Sequence, residues 1–102
     1  MSQVISKKAL KRLKGVHRLS RKLNGPSKRK HLQKLLTLAE KHIDEILFLY
    51  KKKDPHYLTE IGDLLILCFE ILIENKKDVH ETMELCFSRY EQKLKKLLAA
   101  CP

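Results

Sequence analysis

Tryptophan is absent from this 102-residue chain, and glycine and proline occur only three times each. So few turn formers leave no strand-and-turn rhythm, which argues against an all-β fold and for a helical one. The three cysteines, Cys68, Cys86 and Cys101, are odd in number and 18 and 15 residues apart, with no CxxC pair to suggest a zinc site. They imply a reducing, cytoplasmic compartment, with Cys68 and Cys86 read as small core residues in apolar helical runs. No glycine-rich phosphate loop, nucleophile elbow or HExxH is present. The longest apolar run, residues 64–69, is far below the roughly 20 residues of a membrane span. The basic N-terminal stretch lacks the uninterrupted apolar centre of a signal peptide. A soluble intracellular chain is expected.

The most informative absence is of acid at one end. Residues 1–39 hold 12 of the 22 Lys and Arg and no Asp or Glu, so the remainder carries ten basic against all 12 acidic residues. The net charge of +10 therefore belongs wholly to one segment. Lys7, Lys8, Lys11, Arg12, Lys14, Arg18, Arg21, Lys22, Lys28, Arg29 and Lys30 form a candidate surface for a polyanion, whether nucleic acid, nucleotide or anionic lipid. A merely solvated basic face is the other reading.

What is present is helical periodicity. One domain, 1–102, is expected to form an all-α, antiparallel four-helix bundle with short loops. Ile5, Ala9, Leu13, Val16 and Leu23 share a face of a basic amphipathic helix at about 4–23. Asn24-Gly25-Pro26-Ser27 stops it, with Gly25 in a left-handed cap and Ser27 as the next N-cap. The second helix, about 28–50, has a broad stripe through Leu32, Leu35, Leu36, Ala39, Ile43, Ile46 and Leu49. Asp54-Pro55 opens a third at about 55–75, and Asp78 with Glu81 a fourth at about 78–100. Phe48, Tyr50, Tyr57, Phe69, Phe87 and Tyr90 are read as core or boundary packing. His17, His31, His56 and His80 are read as surface or capping residues.

On the third helix Glu60, Asp63, Glu70 and Glu74, with Leu67 between, fall on one stripe. That pattern suits a solvated face. On the second helix, however, His42 and Glu45 intrude on or beside the apolar side and must be satisfied there. Either they bond each other or a neighbouring helix, or the two helices bring His42, Glu45, Glu60 and Asp63 together. An oxygen-rich cluster of that kind holds Mg2+ or Mn2+.

The words HIDE at 42–45, a gap of fourteen residues, and EIGD at 60–63, followed by an apolar helix, a turn and a final amphipathic helix, resemble the MazG-like all-α nucleoside triphosphate pyrophosphohydrolases. The resemblance covers roughly residues 28–98. It implies that Glu45, Glu60 and Asp63 bind Mg2+, that a nucleoside triphosphate is split to monophosphate and pyrophosphate, and that the chain self-associates through its helices. His42 stands where the family has its first glutamate, a departure that bears on catalysis because imidazole is a poorer magnesium ligand than carboxylate. Arg89 and Lys93, four apart on the last helix, match loosely the basic residues that would face phosphates. A non-enzymatic basic bundle that binds nucleic acid or an acidic protein is the alternative.

Overall fold

The computed structural model describes residues 4–101, which form four α-helices and no strand. They are α1 (Lys7–Asn24), α2 (Lys28–Lys51), α3 (Tyr57–Glu74) and α4 (Val79–Ala100). The all-α, four-helix architecture is the one expected.

The helix ends follow local chemistry. Ser6 rather than Val4 begins α1, because its hydroxyl accepts the Ala9 N–H at 3.1 Å. Ser27 caps α2 on the Lys30 N–H, and Asp78 caps α4 on the Glu81 N–H at 2.9 Å. Gly25 has a positive φ of 88° and its N–H donates to the Arg21 carbonyl, but its ψ of 179° is extended rather than that of the left-handed cap expected. The α2–α3 turn departs from expectation. Pro55 does not open α3; instead Asp54 accepts the His56 N–H at 2.9 Å and the helix starts at Tyr57. Both α2 and α3 end on a lysine in the left-handed region, Lys53 and Lys76, with the following N–H groups reaching back to Leu49 and Leu72.

α2 and α3 form the main pair, and α1 lies against both. His31 meets Glu74 while His42 meets Glu60, so the two contacts run in opposite order along α2 and α3. Of the other helices α4 touches only α3. Val79 is buried there, and the neighbouring His80 accepts the backbone N–H groups of Val4 and Ile5 at 3.1 and 3.4 Å. From Glu84 onward every described residue of α4 is exposed.

This leaves a small core. Among the described residues the fully buried apolar side chains are Leu35, Leu67 and Val79. The accessible surface is 8524 Å², against about 6,000 Å² for a compact monomer of this mass. The radius of gyration, 16.3 Å, likewise exceeds the roughly 13 Å of a compact chain of this length.

Three expectations are corrected here. Cys68 and Cys86 are exposed, as is Cys101, because they fall on the outer sides of α3 and α4. Phe48, Tyr50, Phe87 and Tyr90 are exposed rather than core, while Tyr57 and Phe69 are half-buried. Most telling is α3, whose stripe of Glu60, Leu67, Glu70 and Glu74 faces inward while Leu58, Leu65 and Ile66 face out. A helix apolar around most of its circumference has no preferred inner side of its own. The histidines and the arginine on α1 and α2 decide which side goes in.

Candidate metal centre

Two polar clusters hold the helices together. The first lies between α2 and α3. His42 Nδ1 is 2.5 Å from Glu60 Oε2, and His56 Nε2 is 3.4 Å from Glu60 Oε1. Asp63, one turn along α3, brings a carboxylate oxygen to within 4.8 Å of the His42 and Glu60 donor atoms. Glu45, three residues beyond His42, acts on the Glu60 carboxyl but brings no donor atom into this group. Of the four residues read from the sequence as a potential cluster, His42, Glu60 and Asp63 share one place and Glu45 stands at its edge. Glu60 is buried, His42 half-buried, and Glu45 and Asp63 open to solvent. The hydrogen bond from His42 does most to hold the Glu60 carboxyl below the usual glutamate range; burial opposes it, and Glu45 and the two imidazoles add to the lowering.

Carboxylates suit Mg2+ and Mn2+, whereas imidazole suits Zn2+, Fe2+ and Ni2+. The donor set, an ionised Glu60, an adjacent Asp63 and an imidazole nitrogen, fits a divalent cation, with His42 the one donor that departs from the chemistry of hard ions.

The second cluster was not foreseen. At the other end of α3, Glu74 Oε1 lies 2.9 Å from His17 Nε2 of α1 and 3.4 Å from His31 Nε2 of α2, while its Oε2 is 3.7 Å from Arg21 Nη1. His31 has no exposed surface, and Asn24 Nδ2 lies 3.1 Å from its Nδ1. The rings of His17 and His31 meet edge to face at 5.7 Å. Glu70, one turn before Glu74, is buried; burial pushes its carboxyl up, while Ser20 of α1 and the two histidines pull the other way. Burial also acts to raise Glu74, but His17, Arg21 and His31 outweigh it and the net direction is down. So His17 and His31 are structural partners of a buried carboxylate, not surface residues. The available signal was the four-residue step from Glu70 to Glu74 opposite His17, Arg21 and Asn24, themselves spaced four and three apart.

Elsewhere, Lys7, Lys8, Lys11, Arg12, Lys14, Arg18, Lys22, Lys28, Arg29 and Lys30 are all exposed, and Arg21 alone among these turns toward a carboxylate of the described residues. Arg89 and Lys93 lie on the exposed stretch of α4, in a shallow groove with Cys86 and Tyr90 that none of the first cluster's residues line. The structure does not bring them to the carboxylates. Among the described residues no helix is long and apolar enough to cross a membrane. No protein-family model, curated protein or solved structure matches the chain.

Proposed function

We propose that the chain is a MazG-like helical domain that binds a divalent cation between α2 and α3 and hydrolyses a nucleoside triphosphate to monophosphate and pyrophosphate. The observation that carries the reading is the meeting of His42, Glu60 and Asp63, with Glu45 beside them, at the spacing of HIDE and EIGD. Glu45, Glu60 and Asp63 are the residues that would hold the ion. Mg2+ or Mn2+ bound there supplies Lewis-acid polarisation of a phosphoryl group. The reaction adds water oxygen to the α-phosphorus and breaks its bond to the bridging oxygen, so that pyrophosphate leaves. His42 keeps Glu60 ionised and oriented.

The test is Asp63→Asn, a solvent-facing exchange that preserves shape. Metal-dependent release of pyrophosphate should fall by at least about 100-fold, more than the loss typical of an outer-sphere change. Unchanged turnover, or no turnover by the parent chain at millimolar Mn2+ with any common nucleoside triphosphate, would sink the reading.

A second reading rests on the basic segment. Lys7, Lys11, Lys14, Arg18 and Lys22 recur at steps of three and four along α1, all exposed. Lys28, Arg29 and Lys30 crowd the first turn of α2, where no acid balances them and the helix dipole is already positive. Cations are placed against their intrinsic preference there, which suits a phosphate-bearing partner such as nucleic acid. Five phosphates neutralised on duplex DNA would give a slope of log affinity against log salt of about −4 to −5. Binding that ignores salt, or none at low salt, argues against this surface.

The MazG-like reading, not the basic-surface one, includes self-association. Phe87, Tyr90, Leu94 and Leu97 form an exposed stripe on α4, as do Leu36, Ile43, Leu47 and Tyr50 on α2. A second copy of the chain covering these stripes accounts for the excess accessible surface, which is of the order that a stable homodimer buries.

A further inference from the structure

We propose that His17, His31 and Glu74 form a second metal site, specific for a zinc-class transition ion and separate from the α2–α3 carboxylates. One histidine of α1, one of α2 and one glutamate of α3 each offer a single donor atom, all within 4.8 Å of one another. Tetrahedral coordination with bonds of about 2.0–2.1 Å sets neighbouring donors about 3.3 Å apart. His31 Nε2 already stands at 3.4 Å from Glu74 Oε1, and His17 Nε2 at 2.9 Å needs a shift of a few tenths of an ångström. Two imidazoles with one carboxylate favour zinc over magnesium.

An independent observation points to a ligand. Three buried side-chain atoms lack a hydrogen-bond partner among the described residues, namely Arg21 Nη1, His31 Nε2 and Glu70 Oε1, and all three residues belong to this cluster or act on it. His31 Nε2 is the decisive one, because its residue is wholly buried and the atom faces Glu74 Oε1 beyond good hydrogen-bond distance. An imidazole nitrogen so placed, 3.4 Å from a carboxylate oxygen but without a formed hydrogen bond to it, would be satisfied by an ion held between the two.

The surroundings supply what such a ligand set needs. As placed, Asn24 Nδ2–H donates to His31 Nδ1; turning the amide over exchanges its nitrogen for its oxygen, so that His31 Nδ1–H donates to it and the Nε2 lone pair is directed into the cluster. The ring exchanges a proton on Nε2 for one on Nδ1, with no net proton released. Arg21 faces the other oxygen of Glu74, leaving Oε1 for the ion. His17 also lines an open groove with Arg18, Arg21, Lys22, Gly25 and Pro26, so the fourth coordination position lies next to solvent and cationic side chains.

The experiment uses the full chain with Cys68, Cys86 and Cys101 replaced by serine, since all three are exposed and thiols bind the same ions. With the α2–α3 carboxylates saturated by millimolar Mg2+, Zn2+ should bind at one ion per chain and raise the melting temperature. Co2+ should give the intense visible ligand-field bands of a tetrahedral nitrogen and oxygen site without a thiolate charge-transfer band. His17→Ala, at the more exposed edge of the cluster, should abolish both signals while circular dichroism stays helical. If that variant does not fold, His17→Gln replaces it. Asn24→Ala should weaken Zn2+ by about 10–100-fold, and Asp63→Asn should change nothing. No stabilisation by Zn2+ and no cobalt bands overturn the proposal, in which case water fills the gap. Binding that survives loss of His17, or that disappears with Asp63→Asn, overturns it as well.

Discussion

On the proposed self-association, replacing Leu94 and Leu97 together by glutamate is expected to leave the chain monomeric and to melt much of α4. Both residues are exposed in the single chain, at 43% and 57%, so neither exchange removes an intramolecular core contact. Their stripe has an energetic consequence only if another surface covers it. Burying a leucine is worth about 1.5–3 kcal/mol, and a symmetric pair buries each of the two twice. Because each leucine is only about half exposed before association, the association constant should fall by a factor of at least about 10². The helical signal should fall too. α4 is 22 residues long and makes its fixed contacts near Val79, and a helix held at one end has little beyond its own propensity to sustain it. Sedimentation equilibrium and circular dichroism across a dilution series read both effects. A parent chain that sediments as a monomer at high concentration, with stability independent of concentration, removes the second copy from the account.

Glu70→Gln is expected to stabilise the fold at neutral and mildly alkaline pH. Glu70 is 3% exposed, and Oε1 has no partner; leaving a buried polar group unsatisfied costs about 1–3 kcal/mol. Glutamine keeps the shape and the reach to Ser20 while removing the charge. Because burial raises the folded-state pKa of Glu70, the native chain holds this proton more tightly than the unfolded one. Its favourable contribution is complete below the ordinary glutamate value of about 4.3 and is lost as pH rises through the higher folded value. The gain from Glu70→Gln should accordingly be largest at pH 8 and vanish toward pH 4, as urea denaturation at several pH values will measure. A variant less stable than the parent at pH 8 would mean instead that the Glu70 carboxylate acts as a needed counter-charge to His17 and His31.

The two readings of α3 differ in a way that local sequence cannot settle. Glu60, Asp63, Glu70 and Glu74 were expected to be a wet stripe, with a metal cluster at the first two as the sharper alternative. In the folded chain three of the four are buried and only Asp63 is exposed. The chance to see this lay in His42, whose position on an apolar face demanded a partner; Glu60 is that partner. No comparable demand singled out His31 in the first turn of α2, where a polar residue before an apolar stripe reads as exposed. Its complete burial depends on α1 folding back so that His17, Arg21 and Asn24 cover it and Glu74.

What the sequence determined by itself was most of what is set within a few residues, the Asp54-Pro55 turn and the start of α1 apart. Ser27 and Asp78 cap the helices they precede, Gly25 takes a positive φ, and the apolar steps of three and four mark four helices with short links. The acid-free first 39 residues also belong to this class, because charge needs no fold to be counted. Tertiary structure alone decided which side of each helix faces in. Capping and periodicity are local, but the inner face of a helix that is apolar nearly all round is chosen by the partners opposite it. Here those partners are imidazole and guanidinium groups, so carboxylates went inside and leucines were left outside.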